Sequence, residues 1–289
     1  MRGSDTMTIK ACYQMVCSRL SVPEISMPEL EARELVSCAL GCDLRRLPPM
    51  QTVSSEEQDR LKTLVKRRLQ GEPLAYLLGE WDFCGITLRV TPAVLIPRSD
   101  TERLCELAIE RARVRQTPRI LDLCSGSGCI GLALLREFPK AVGLGVDLSP
   151  EAVQLAQSNA AQLGLASRYC CIEGNALTAP PQEYKAAFDV MVCNPPYITA
   201  QEMCALDVSV SAYEPHLALY GGPDGLDFYR SVMQGWAQTV RPAGDVFFEC
   251  GWKQGQAVAD ICIQAGWRQT EIETDYAGIP RIIHTVRPD

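Results

Sequence analysis

The sequence predicts an α/β protein: a doubly wound, mostly parallel sheet preceded by a small helical bundle and a connecting β-hairpin. Three observations carry this. From Pro118 onward, short apolar runs alternate with helical patterns, as parallel strands joined by crossover helices require. The first run leads into a glycine-rich loop, Gly126-x-Gly128-x-x-Gly131, and the second reaches Asp147. The fourth ends in Asn194-Pro195-Pro196-Tyr197, where two residues without N–H donors force the chain out of the sheet.

Taken in order, residues 8–20 form an apolar segment of helical character. Pro28 suits the first turn of a second helix, which carries Leu30, Leu35, Val36, Ala39 and Leu40 and stops at Gly41. Ser54-x-x-Glu57 is a capping box that opens a third, with Leu61, Leu64, Val65 and Leu69 at helical spacing before Gly71. Lys66-Arg67-Arg68, the densest cationic cluster, is read as the last turn of that helix, where cations complement the dipole. Residues 83–90 read as a hairpin. Ser99-x-x-Glu102 resembles a second capping box ahead of Leu104, Leu107, Ala108 and Ala112. Strands are expected at 119–124, 142–148, 169–172, 188–193 and 245–250, with a closing hairpin at 266–274 and 281–287 whose last strand runs antiparallel. The expected division is a helical domain at 1–71, a linker with the hairpin at 72–98, and a catalytic domain at 99–289.

Composition narrows the function class. The 289 residues are 47% hydrophobic and 22% charged, which fits a chain able to bury a sizeable core. No apolar run is long enough to span a membrane. The first residues lack the basic-then-apolar layout of a signal peptide, so a soluble cytoplasmic protein is expected. Met1-Arg2-Gly3-Ser4 resembles a vector remnant, with Met7 as an alternative start. A net charge of −7 is unfavourable for a general nucleic-acid binder. The fourteen cysteines show no Cys-x-x-Cys spacing and the only histidines are His216 and His284, so neither a metal site nor a disulfide framework is expected. Adjacent Cys170 and Cys171 on a strand should face opposite sides.

The Asn194 turn suits one kind of acceptor. A planar NH2 group carries two hydrogens, and the Asn194 side-chain oxygen and the Pro195 carbonyl can hold both, aiming the nitrogen at an electrophile. Tyr197 can stack on the planar group. The glycine loop is ambiguous, because Gly126-x-Gly128-x-x-Gly131 with Asp147 after the next strand also suits a dinucleotide. Two features favour S-adenosylmethionine. Asp122, on the strand just before the loop, is awkward beside a pyrophosphate but welcome near a sulfonium and an ammonium. A dehydrogenase, moreover, has no need of the Asn-Pro-Pro-Tyr turn.

Together, Asp122-x-Cys124-Ser125-Gly126-Ser127-Gly128, Asp147 and Asn194-Pro195-Pro196-Tyr197 resemble the class I, Rossmann-like methyltransferases that alkylate planar nitrogens. Longer stretches resemble the PrmC/HemK family: the segment from Gly71 to Phe83, Leu95-Ile96-Pro97-Arg98-Ser99-Asp100-Thr101-Glu102, the run from Glu214 to Tyr229, Glu249-Cys250-Gly251 with Gln256, and the run from Asp275 to Arg281. The resemblance extends from about residue 70 to the C-terminus; the helical first part matches in kind. It implies methylation of the glutamine side-chain amide in a Gly-Gly-Gln motif of class I peptide chain release factors, giving N5-methylglutamine. It also implies that Asn194, Pro195, Pro196 and Tyr197 hold the substrate amide, that Leu95, Arg98 and Glu249 shape the glutamine pocket, and that Asp122, Ser125, Gly126, Ser127, Gly128, Asp147, Asn175 and Asn194 surround the cofactor. The chain departs from the family at Cys124-Ser125, where a glycine is common. It departs again at Gly174-Asn175-Ala176, where many members carry an aspartate followed by an aromatic.

Several residues have competing readings. Arg98 either shapes the pocket or braces the loop around Asp100. His216 is read as structural, Asp227 and Tyr229 as capping and packing a helix, and Trp81 and Phe83 as hairpin residues. Two alternatives stand beside the release-factor reading: a DNA adenine-N6 methyltransferase and a non-catalytic cofactor-binding interaction module. The negative charge and the lack of an evident target-recognition region weigh against the first. The intact Asn194 and Tyr197 weigh against the second. A monomer acting on a protein partner is expected, with the helical domain helping to recognise it.

Overall fold

The computed structural model describes residues 7–289; the suspected remnant at 1–4 lies outside them. Two compact units are present. One comprises residues up to Glu80 together with Val208–Tyr213; the other comprises Trp81–Asp207 and Glu214–Asp289. Residues 72–80 thus group with the helices, and 81–98 with the sheet.

In the first unit, α1 (Ile9–Leu20), α2 (Pro28–Leu40) and α3 (Ser55–Leu69) are followed by a short α4 (Leu74–Leu78). Their apolar stripes meet in one core built around Cys12, Val16, Leu20, Leu35, Val36, Leu61 and Val65. The local signals act as read. Pro28 opens α2, and Gly41 closes it in the left-handed region. The Ser54 hydroxyl accepts from Glu57 N–H while the Glu57 carboxylate accepts from Ser54 N–H. Such a cap is worth about 1 kcal/mol. Lys66, Arg67 and Arg68 do lie in the last turn of α3. Two of them are also paired: Arg68 with Glu31 of α2 at 2.5 Å, and Arg67 with Glu72.

The second unit opens on the hairpin β1 (Glu80–Phe83) and β2 (Ile86–Arg89), followed by α5 (Ser99–Ala112). The expected capping box on α5 does not form. Arg98 occupies the N-cap without a side-chain bond, and the Glu102 carboxylate instead accepts the Cys84 N–H of the hairpin turn at 2.7 Å. A tertiary donor has replaced the local one.

The sheet then alternates with helices: β3 (Arg119–Leu123), α6 (Cys129–Glu137), β4 (Val142–Asp147), α7 (Pro150–Gln162), β5 (Tyr169–Glu173), β6 (Phe188–Cys193), α8 (Asp227–Gln234), β7 (Val240–Glu249), α9 (Gly255–Gln264), β8 (Arg268–Thr274) and β9 (Pro280–Val286). Strand order is β5-β4-β3-β6-β7-β9-β8. All pairs are parallel except those of β9, which runs antiparallel to both neighbours. Every residue of β6 is buried, as a central parallel strand covered on both faces demands. On one face, α5, α6 and α7 supply Leu104, Leu134 and Ala156 to the core. On the other, α8 and α9 supply Tyr229, Val232 and Cys262. Cys170 is exposed and Cys171 buried, on opposite faces of β5.

From β3 the chain winds outward through β4 and β5, then returns to the other side of β3 with β6. The order reverses between β3 and β6, and in open sheets of this kind the crevice at such a reversal takes the ligand. The parallel register pairs Leu123 with Cys193, so the glycine loop and Asn194 leave the sheet side by side. Among the described residues, no helix is long and apolar enough to cross a membrane.

Candidate active site

The loop after β3 is shaped by an unusual backbone. Cys124, one of the two positions where a glycine is common in the family it resembles, takes φ +60°. A side chain in that left-handed region costs about 1–2 kcal/mol. The reversal lets Ser125 N–H bond to the Val146 carbonyl and presents Gly126 N–H to Asp147 Oδ2 at 2.8 Å. Gly128, at φ +79°, caps the N-terminus of α6. Buried Asn159 of α7 donates to the Ser127 carbonyl at 2.9 Å and pins the far side of the loop. Nothing in the sequence singled Asn159 out.

A cleft lies over the carboxyl ends of β3, β4 and β6. Its empty volume is about 990 Å³ counting its open mouth, within the range of small-molecule sites. Leu95, Ser125, Gly126, Ser127, Asp147, Asn175, Asn194 and Pro196 all line it. Asp122 sits behind the loop, fully buried. Its Oδ2 accepts from Gly131 N–H at 2.9 Å and from the Tyr169 hydroxyl at 3.3 Å, whereas Oδ1 has no partner. Burial lifts its pKa to about 7, against the lowering effect of those two donors. Asp147 is also raised by burial, but bonds from the backbone of Ser149, Gly126 and Leu148 counter this.

These residues fit S-adenosylmethionine. Asp147 uses part of its acceptor capacity on backbone N–H groups and keeps the rest for a diol. Ser127 Oγ is buried against the cleft without a hydrogen-bond partner. The Asp122 carboxylate provides negative charge close behind the loop. Asn175 fits less directly, because its Oδ1 already accepts Leu177 N–H in a turn.

The Asn194 turn stands at the other side of the cleft. Asn194 Nδ2 donates to Thr101 Oγ1 at 3.2 Å, and Thr101 donates in turn to Glu249 Oε2 at 2.6 Å. Tyr197 donates to the other Glu249 oxygen at 3.4 Å. Thr101 and Glu249 are each 2% exposed. Burial raises the Glu249 pKa to about 7; the bond from Thr101 opposes the rise, Asp100 adds to it, and Arg281 and Tyr197 oppose it. The Tyr197 hydroxyl is raised by burial and by the Glu249 charge.

Close packing fixes the turn. A Cβ on Gly221 would stand 2.6 Å from both the Pro196 carbonyl oxygen and Tyr197 Cα, so only glycine fits there. Gln254 donates to the Tyr197 carbonyl at 3.0 Å. Gln256, which the family resemblance singled out, bonds Asp260 on the surface of α9.

Arg98 does not pair with Asp100. It pairs with the buried carboxylate of Glu214, whose other oxygen accepts Ile96 N–H. Asp100 faces Arg281 at 3.6 Å. Asp227 lies in the first turn of α8, and the buried Tyr229 hydroxyl donates to the Glu249 carbonyl. Like Asn159, Thr101, Glu214 and Gln254 were assigned no role by sequence reasoning, although Thr101 and Glu214 fall inside stretches singled out for their resemblance.

Comparison with known proteins agrees with this geometry. Residues 12–79 match the PrmC N-terminal domain and residues 116–219 a methyltransferase domain. The release factor glutamine methyltransferase of Bradyrhizobium diazoefficiens is 38% identical, covering 98% of this chain and 97% of the relative. That of Moorella thermoacetica is 40% identical, covering 95% and 97%. A methyltransferase crystal structure from Pyrococcus furiosus shares the fold at a TM-score of 0.51 and 14% identity, covering 70% of this chain and 89% of that one. Near-complete coverage at such identity leaves one conclusion: the chain belongs to the release factor glutamine methyltransferase family.

Proposed function

We infer that the protein transfers a methyl group from S-adenosylmethionine to the side-chain amide nitrogen of the glutamine in the Gly-Gly-Gln motif of class I peptide chain release factors, giving N5-methylglutamine. The observation that carries this reading is the Asn194-Pro195-Pro196-Tyr197 turn beside the cleft, in a chain of this family. Among the described residues neither Asn194 Oδ1 nor the Pro195 carbonyl accepts a hydrogen bond from the protein, so both are available to a planar NH2 group.

The cofactor, when bound, supplies an electrophilic methyl group. The chain's own residues do the rest. Asp147 takes the ribose hydroxyls, Ser125, Gly126, Ser127 and Gly128 surround the methionine portion, Asp122 balances its positive charge from behind, and Asn175 lies beside the base. Asn194 Oδ1 and the Pro195 carbonyl each accept one amide hydrogen and turn the nitrogen lone pair toward the methyl group, and one of those hydrogens then leaves as a proton to water. Tyr197 and Pro196 pack on the amide plane, and Leu95 contributes the apolar wall. Arg98 acts indirectly by neutralising Glu214. An amide nitrogen is a weak nucleophile, so positioning supplies most of the rate, on the order of 7–11 kcal/mol for well-oriented groups. The helical unit serves recognition of the release factor.

The test compares a release factor, its Gln→Ala variant at the Gly-Gly-Gln motif, and double-stranded DNA as acceptors of labelled methyl groups. Transfer to the intact factor alone is expected. Transfer to DNA at a similar rate, or undiminished transfer to the Gln→Ala protein, overturns the reading.

A further inference from the structure

We propose that Thr101 is a positioning residue that, anchored by Glu249, sets which face of the Asn194 amide the acceptor glutamine meets. The inference rests on the methyl-transfer reading above and deepens it. An asparagine side chain presents an oxygen on one side and an NH2 on the other, and only the oxygen can hold an acceptor NH2. Something must therefore choose between two orientations of nearly identical shape.

The geometry supplies the choice. A threonine hydroxyl has one hydrogen. At 2.6 Å from Glu249 Oε2, that hydrogen is committed to the carboxylate. Thr101 Oγ1 is left with lone pairs alone on its other sides, so it can face only a donor. Asn194 answers with Nδ2 at 3.2 Å, and its oxygen is left for the acceptor. Reversing Asn194 would set its oxygen against the lone pairs of Thr101 in a buried setting, where an unmade hydrogen bond is costly.

The arrangement depends on Glu249 accepting a hydrogen. The groups that face it are Asp100 and Thr101 from α5, Tyr197 from the turn after β6 and Arg281 from β9; the Tyr229 hydroxyl of α8 holds its backbone carbonyl. Asp100 opposes ionisation, while Thr101, Tyr197 and Arg281 favour it. When Glu249 is protonated, the Thr101 hydroxyl is free to donate to Asn194 Oδ1, which turns the NH2 of Asn194 toward the acceptor and blocks it. Turnover should then fall on the acid side as Glu249 takes up a proton.

The experiment uses the full-length enzyme with an intact release factor. Thr101→Val removes the hydroxyl at nearly constant shape, and Thr101→Ser restores it. Expected for Thr101→Val is a fall in kcat on the order of 100-fold, the scale of a misplaced reacting group. Cofactor affinity should stay close to wild type, and the acid limb of the pH–rate profile should flatten. Thr101→Ser should recover kcat to within about threefold of wild type. Wild-type turnover by Thr101→Val overturns the proposal. So does equal loss in both variants, which would assign the effect to packing, or an acid limb that persists unchanged in Thr101→Val, which would mean that Glu249 acts without Thr101. Absence of methyl transfer by the wild-type enzyme would instead overturn the underlying function, and the positioning role with it.

Discussion

Asp122→Asn separates what the fold needs from what the ligand needs. In the protein alone the carboxylate is out of place: it is 1% exposed, one oxygen has no partner, and burial moves its pKa from 3.8 to about 7. That lift corresponds to about 4 kcal/mol against the ionised form. Because the folded-state pKa lies above the unfolded one, the contribution to stability is fully present below about pH 4 and is lost as the pH rises to about 7. An asparagine keeps an oxygen for Gly131 N–H but does not titrate. Its buried NH2 adds a pH-independent cost of about 1–3 kcal/mol.

Between pH 5 and pH 8, the difference in unfolding free energy should therefore move in favour of Asp122→Asn by about 2–3 kcal/mol. Urea titrations of both proteins at the two pH values, without cofactor, read this directly. Calorimetry at pH 8 should show the opposite for S-adenosylmethionine, with affinity at least about 10-fold lower in the variant, because a charge that complements the sulfonium and ammonium is gone. A stability gap that does not change with pH would refute the strained-carboxylate argument. Unchanged cofactor affinity would refute the electrostatic role.

Asp147→Ala should weaken S-adenosylmethionine binding by about 1.5–3 kcal/mol in calorimetry, the scale of a hydrogen bond to a charged group. Asn194→Ala should lower methyl transfer at least about 100-fold while leaving cofactor binding near wild type; a radiolabel assay with a release factor measures the first and calorimetry the second. Gly221→Ala, whose new Cβ meets the Pro196 carbonyl and Tyr197 Cα at 2.6 Å, should displace the turn and cost at least about 10-fold in kcat with little change in cofactor affinity.

What could be read from the sequence was what depends on neighbours in the chain. The strands β3 and β6 are short runs rich in apolar residues, and two prolines can mean only an exit from the sheet. A glycine after a helical stripe stops it, as Gly41 does. The sequence placed Asn194 at the carboxyl end of a strand; the strand order that sets it beside the glycine loop is visible only in the fold. Failures of local reading fall where a tertiary partner outcompetes a local one. Ser99 and Glu102 have capping-box spacing, yet the Glu102 carboxylate goes to a hairpin turn eighteen positions back. Arg98 has Asp100 two positions away, yet pairs with Glu214, whose buried carboxylate needs a cation more than an exposed one does.

The same reasoning explains why the support of Asn194 was hidden. Asn194 and Thr101 are separated by 93 positions and Thr101 and Glu249 by 148, so no spacing rule links them. They meet because α5 lies across the sheet with its first turn near the ends of β6 and β7. A threonine in a helical first turn looks locally like any helix-start residue. Its importance comes from having a single hydroxyl hydrogen and a buried carboxylate to receive it, and both facts become visible only when the strands are in register. The turn that names the chemistry is local, and the device that orients it is not. Substitutions that silence this site without touching the Asn-Pro-Pro-Tyr motif should therefore concentrate where α5, β7 and the Gly221 segment press against that turn.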